Sequence, residues 1–344
     1  MEYEWTLKDA VFTKDKGTVF SCFACGGGST MGYKLAGFDV LGCNEIDPKM
    51  MEAYRVNHNP KYSYLEPIQE FKLRDDLPEE LYNLDILDGS PPCSSFSMAG
   101  NREKDWGKEK KFREGQADQV LDTLFFDFID LAKKLQPKVV VAENVKGLLM
   151  GAAKEYVGRI GEAFDSAGYY VDKWLLDASK MGVPQRRERV FFVAIRKDLG
   201  DNMTGWTDMF NPMPRLDLEF NEKAIPFKKV KEKDVERKQL SDSRMKHYKN
   251  ADHTGRAKVN GGNTFGFYYK TMNNLVCATL TSGSYYSIEE RPELLTDREY
   301  SKIGSYPMDY NHMKNEPQYL IGMSVPPLVT AQIAKRIYTQ WLTR

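Results

Sequence analysis

The chain holds 344 residues, 41% hydrophobic and 28% charged, with 49 Lys and Arg balancing 49 Asp and Glu. That length exceeds one ordinary core and predicts two domains, while zero net charge excludes a global field that would draw the protein to nucleic acid or membrane. No apolar run approaches the roughly 20 residues of a membrane span; the charged start "MEYEWTLKDAVFTKDKG" lacks a signal-peptide core, and five cysteines without a secretion signal argue for reduced thiols in a cytoplasmic setting.

The first two hundred residues read as alternating strands and helices. "GTVFSCFA" is a strand entering the glycine loop "CGGGS", and "GSTMGYKLAG" a helix with a glycine stop. "FDVLGCNEID" is the next strand, followed by a helix from Pro48 to Asn57. "LDILDGS" is a buried strand. In "DQVLDTLFFDFIDLAKKLQ", Val120, Leu121, Leu124, Phe125, Phe128, Ile129, Ala132 and Leu135 recur at helical spacing. "KVVVAENV" is a strand, 153–166 a helix, and "YYVDKWLLDA" and "RVFFVAIR" two strands closing the sheet antiparallel. Repeated βαβ units predict an α/β fold with a doubly wound, mostly parallel sheet, whose ligands bind beyond the strand C-termini.

From 199 to 319 the pattern breaks into Pro, Gly, Asn, Tyr and Lys without a helical period, and "NGGNTFGFYYK" reads as turns around a strand. Residues 221–260 carry twelve Lys and Arg against six Asp and Glu, a basic island on an otherwise acidic chain. "VPPLVTAQIAKRIYTQWL" then regains amphipathic spacing, with Val329, Ile333, Ile337 and Trp341 in one stripe. The expected organisation is a discontinuous domain of 1–198 plus 320–344, interrupted by a smaller irregular domain over 199–319.

Each strand end offers chemistry. The glycines at 26, 27, 28 and 32 permit close backbone approach or a plain tight turn. They miss the strict dinucleotide spacing, and no phosphate-binding Lys-Ser/Thr loop is present. Glu45 in "NEID" stands about twenty positions later, where an acid can bond ribose hydroxyls, and Asp47 is a candidate helix cap. In "GSPPCSSFS" two prolines stiffen the approach to Cys93; the thiol reads either as a presented nucleophile or as a small packed residue. Glu143 in "ENV" emerges at the same sheet edge and reads either as a proton donor to a ligand or as a strand-end carboxylate bonding backbone amides. Alternation in "QRRERVFF" sends Arg187 and Arg189 to one side and Arg186 to the other, suited to a base edge, a phosphate, or an ion-pair cluster with Glu188. Cys22 and Cys25 have the spacing of half a zinc site, but without a second pair or His no metal is expected.

In this order and spacing, "FACGGGS", "NEID", "GSPPCSSFS", "TLFFDF", "ENV", "QRRER", "RPELLTDRE" and "GMSVPP" resemble the DNA (cytosine-5)-methyltransferases of bacteria and phages, over nearly the whole chain outside 200–270. The resemblance implies a Rossmann-like methyltransferase sheet with a target-recognition domain, which would give the basic island a purpose. The enzyme would move a methyl group from S-adenosyl-L-methionine to C5 of a cytosine in duplex DNA. Cys93 would be the nucleophile, Glu143 would contact N3 of the base, and Arg187 and Arg189 would be the paired arginines of the active site. The cofactor would meet Phe23, Ala24, Cys25, Gly26 and Gly28 of the first loop, and Glu45 and Ile46 after the second strand. Ile68 would pack on adenine and Leu124 would line the same cleft. Ser90, Pro92 and the "GMSVPP" residues Met323, Ser324 and Val325 would complete it.

The implied chemistry is coherent. C5 of cytosine is a poor nucleophile; a thiolate adding at C6, aided by protonation at N3, makes it an enamine-like carbon able to take the sulfonium methyl. Loss of the C5 proton then expels the thiol. A base inside a duplex cannot expose C6, so it must be flipped out, and a loop from Ser94 to about Gly115 could close over it. Three positions depart from the family: Ser94 replaces Gln, Pro67 replaces Asp before Ile68, and Met323 replaces Asn. The last could weaken cofactor binding or admit a modified S-adenosylmethionine. The alternative substrate is RNA such as tRNA, against which the large irregular segment argues; a silent DNA-binding paralogue and a nicotinamide-dependent dehydrogenase fit less well. A monomer on DNA, cytoplasmic in a prokaryotic or phage-infected cell and part of restriction-modification or an orphan enzyme, completes the expectation.

Overall fold

A computed structural model describes residues 2–92, 109–110, 119–120, 123–151, 153–203, 215–254, 256–259, 262–265 and 268–343. Strand β1 (Thr18–Cys22) leads into helix α1 (Gly28–Ala36), then β2 (Asp39–Glu45) and α2 (Pro48–His58). Asp47 caps α2 as expected, its carboxylate accepting the Lys49 and Met50 amides at 2.8 and 3.4 Å, with Pro48 pre-set for the first turn. Next come β3 (Tyr62–Leu65), the single turn α3 (Ile68–Phe71) and β4 (Ile86–Gly89). Two-residue strands β5 (Glu109–Lys110) and β6 (Gln119–Val120) pair antiparallel. Val120 therefore lies in a strand, a correction to the helix stripe expected to start there: α4 runs Leu124–Leu135. After it come β7 (Val139–Val145), α5 (Ala153–Ser166), β8 (Tyr169–Asp177) and β9 (Glu188–Arg196).

The seven main strands lie in the order β3-β2-β1-β4-β7-β9-β8. The first five are parallel neighbours, and β9 runs antiparallel to both β7 and β8. Alternation divides each strand between two cores. Val140 and Ala142 of β7 join Phe20 and Leu87 under α4 and α5, while Val139 and Val141 join Val19 and Ile86 under α1. The second core is closed by α10 (Pro327–Ile337), whose Val329, Ile333 and Ile337, with Trp341 beyond, are all buried as the stripe predicts. Each such fully buried side chain contributes roughly 1.5–3 kcal/mol. Chain order reverses between β1 and β4, so their C-terminal ends open onto the crevice where doubly wound sheets take ligands.

The stretch that showed no helical period does hold helices, short and polar-faced: α6 (Lys197–Asp201), α7 (Asp242–Asn250), α8 (Asp297–Ile303) and α9 (Pro317–Met323). They accompany a hairpin of β10 (Arg256–Val259) and β11 (Gly262–Phe265), and a parallel pair, β12 (Tyr268–Thr271) with β13 (Tyr285–Ile288). Register sets Tyr268 against Tyr285 and Tyr269 against Tyr286, and both ring pairs stack, at 5.2 and 4.9 Å. Thr296 and Glu299 form a capping box on α8. The same Glu299, fully buried, takes both arms of Arg237 and the Glu232 amide, tying the lysine-rich stretch to α8. A third apolar cluster joins Phe227, Leu280, Tyr286 and Ile321 to Met31 of α1 and Met50 of α2. Among the described residues no helix is long and apolar enough to cross a membrane.

Candidate active site

The loop after β1 turns through two left-handed non-glycine residues, Phe23 at φ +51° and Cys25 at φ +50°, before Gly27 at +85°. Its glycines answer to the protein's own packing. A Cβ on Gly27 would run into the His58 ring, and one on Gly28 into the Val325 carbonyl oxygen. The Gly26 carbonyl accepts from the Tyr310 hydroxyl at 2.5 Å and faces His58 Nε2 at 3.1 Å. Burial pulls the His58 imidazole down to about 3, so the ring is neutral. Glu45, buried at the end of β2, holds the same loop: Oε2 accepts the Cys25 amide at 2.6 Å, and Oε1 those of Ile46 and Asp47 at 2.8 and 2.9 Å. Burial raises the Glu45 carboxyl while the three amides oppose it.

At the switch point a narrow cleft is lined by Ser21, Phe23, Ala24, Cys25, Gly28 and Ser29 from the first strand and helix, Asp88 and Ser90 from the end of β4, and Met323, Ser324 and Val325. Asp88 is 5% exposed. Its Oδ2 accepts from the Ser21 hydroxyl at 2.7 Å and its Oδ1 from the Tyr33 hydroxyl at 3.1 Å. Burial pushes this carboxyl up to about 7; the Glu143 charge adds to the rise, and the hydroxyls of Ser21, Tyr33 and Ser29 oppose it.

Beside β4, the end of β7 carries "ENV". Asn144 is buried and splits its amide: Nδ2 donates to the Pro91 carbonyl at 3.0 Å, and Oδ1 accepts the Val145 amide at 2.9 Å. It thereby pins the proline arm to the neighbouring strand. Glu143 Oε1 pairs with Arg189 Nε at 3.0 Å, both side chains largely shielded. Arg187 is 4% exposed and donates to the carbonyls of Leu280 at 2.9 Å and Gly322 at 3.2 Å, bridging the Leu280 segment to the one that enters the cleft lining at Met323. Burial pulls its guanidinium down to about 9, with Arg189 adding and Glu143 opposing. Arg186 is exposed, as alternation predicts. Glu188 pairs instead with Lys146 at 2.9 Å, so no cluster of it with the arginine side chains forms.

Residues 17–339 match the family model for C-5 cytosine-specific DNA methylases. The chain belongs to this family. The chain is 38% identical over 181 residues to the type II methyltransferase M.FnuDI of Fusobacterium nucleatum, an alignment covering 53% of this chain and 47% of the relative; the chain thus spans about half of that relative's length. Against M1.HphI of Haemophilus parahaemolyticus the identity is 28% over 335 residues, covering 93% of this chain and 86% of the relative. A solved prophage-encoded protein from E. coli shares the fold with a TM-score of 0.66 at 20% identity, over 95% of this chain and 99% of that one.

Of the residues expected at a cofactor, eight line the cleft: Phe23, Ala24, Cys25, Gly28, Ser90, Met323, Ser324 and Val325. Gly26, Glu45, Ile46 and Pro92 are not among its lining residues, and Ile68 and Leu124, expected to line it, are buried in the core that α4 helps to form. Glu143, Arg187 and Arg189 come together at the ends of β7 and β9. Cys93 and the loop from Ser94 to Gly115 fall outside the described residues, the pair Glu109–Lys110 apart. Sequence reasoning missed Asp88 and Asn144. Asp88 had a signal, an acid at the C-terminal end of an apolar strand; Asn144 had none, because a clamp on another strand's carbonyl exists only once the strands pair.

Proposed function

We propose that this methylase transfers a methyl group from S-adenosyl-L-methionine to C5 of a flipped-out cytosine in a specific duplex DNA sequence, through a transient bond between Cys93 and C6. The observation that supports the reading is the Asn144 bond to Pro91, which ties the arm two residues before Cys93 to the end of the strand that carries Glu143. The cleft's chemistry fits the cofactor. It offers a buried acid for a positively charged ligand, hydroxyls from Ser21 and Ser29, and an apolar wall from Phe23 and Val325. Glu45 keeps one acceptor direction on Oε2 for a ribose hydroxyl. When bound, the sulfonium supplies the methyl group.

In this mechanism the Cys93 sulfur must act as thiolate, which a free thiol with a pKa of about 8.5 offers only in part at neutral pH. Glu143, ion-paired with Arg189 in the free protein, would take up a proton from water and pass it to N3 as the sulfur adds to C6; after methyl transfer the C5 proton passes to water and the C6–S bond breaks, returning the Cys93 thiolate. Arg189 holds Glu143 in place and balances its charge when the proton leaves. Arg187 acts as a brace between Leu280 and Gly322. Residues 199–319, with their basic island, would supply target recognition and the hinge, and 1–198 plus 320–344 the catalytic domain. The 319/320 boundary falls inside α9.

The test is transfer of labelled methyl from S-adenosylmethionine to genomic duplex DNA and, in parallel, to bulk tRNA. Label in DNA as 5-methylcytosine, lost in Cys93→Ala with DNA binding retained, is the expected result. Label in tRNA alone overturns the choice of substrate, and transfer surviving Cys93→Ala overturns the nucleophile.

A further inference from the structure

Asp88 is a buried acid in want of a cation. It lines the switch-point cleft, 5% exposed, held by the neutral hydroxyls of Ser21, Tyr33 and Ser29. Among the described residues no Lys, Arg or His makes an ion pair with it. The groups that face it are Ser21 and Cys22 on β1, Ser29 and Tyr33 on α1, Tyr54 on α2 and Glu143 on β7. Every one is neutral or acidic. A buried carboxyl without a cation keeps its proton until a positive charge arrives, and the cleft that Asp88 lines is where such a charge could come in with a ligand.

The cleft shows which charge. Gly28 and Ser29, the first residues of the nine-residue α1, line it on the same side as Asp88. A helix N-terminus favours a carboxylate. An α-amino acid carries its ammonium on the carbon next to its carboxylate, so a carboxylate at α1 sets the ammonium beside Asp88. We propose that Asp88 recognises the α-ammonium group of the amino-acid end of S-adenosylmethionine, with Ser21 and Tyr33 orienting its two oxygens. This rests on the cofactor reading given above and assigns that end of the ligand a partner from the fourth strand. Because burial holds the carboxyl near 7, proton loss from Asp88 accompanies binding, and affinity falls as pH drops below that value. Tyr33, Tyr54 and Cys22 are all driven upward by burial and stay neutral through this range.

The experiment is isothermal titration of the full chain with S-adenosylhomocysteine and with its analogue lacking the α-amino group, at pH 8 and pH 5.5. The wild type should bind the parent at least about tenfold more tightly at pH 8, as a hydrogen bond between charged groups gives, and that ratio should shrink at pH 5.5. In Asp88→Asn the ratio should fall close to one at both pH values. Undiminished discrimination by Asp88→Asn overturns the proposal while leaving the cofactor reading intact. A wild-type ratio near one does the same and needs no variant to fold. Failure of the wild type to bind the parent compound at all overturns both.

Discussion

Asp88→Asn also makes a stability prediction of unusual sign, because it removes a burden on the folded state. Burial lifts the Asp88 carboxyl from its ordinary 3.8 to about 7. Below about pH 4 both folded and unfolded chains hold the proton, and the acid costs nothing. Between about 4 and 7 the unfolded chain has released a proton that the folded chain retains, so folding weakens as pH rises. Above 7 the whole cost is in place, on the order of 4 kcal/mol at about 1.4 kcal/mol per unit. Asparagine keeps the shape, but its amide must donate where a carboxylate oxygen accepted, so one hydroxyl, of Ser21 or Tyr33, has to turn; that costs about 1 kcal/mol. The variant should therefore be roughly 3 kcal/mol more stable than wild type at pH 8 and about 1 kcal/mol less stable at pH 4. Urea unfolding at both values, read as midpoint shifts at constant slope, measures this. A difference that does not change with pH would refute the reasoning, as would a loss of stability at pH 8.

Two further substitutions address the arm and the recognition segment. Asn144→Ala leaves the Pro91 carbonyl without its 3.0 Å partner; the turnover rate on duplex DNA should fall at least tenfold while DNA binding in a filter assay holds, and an unchanged rate would show that the clamp does not position Cys93. Arg237→Met strands the fully buried Glu299 and should cost about 3–5 kcal/mol in urea unfolding; a loss below about 1 kcal/mol would mean that the pair does not brace α8.

The doubly wound architecture was legible because its signals are local. Hydrophobic alternation in "KVVVAENV" divides one strand between two cores, and the heptad-like run in "TLFFDFIDLAKKL" can bury only one helical face. Asp47 reads as a cap wherever its chain goes, since the amides it serves lie two and three residues away. The region from 199 to 319 was opaque for the same reason. Its helices are short, and its apolar cluster and pairs such as Arg237 with Glu299, 62 residues apart, draw on residues scattered along the chain, which leaves no periodic trace. Val120 was misread because a helical period continues past the point where the chain actually pairs with another strand.

Sequence alone determined most of the order of strands and helices before residue 199, the set of chemical groups at those strand ends, and the family they resemble, because each depends on neighbours along the chain. Tertiary structure alone decided which of those groups meet. It set Glu143 on Arg189, spent the glycines on His58 and Val325, turned Arg187 toward two carbonyls, and buried Asp88 without a cation. Those outcomes depend on which strand ends pack side by side and how far water is excluded there, and neither is encoded at any single position.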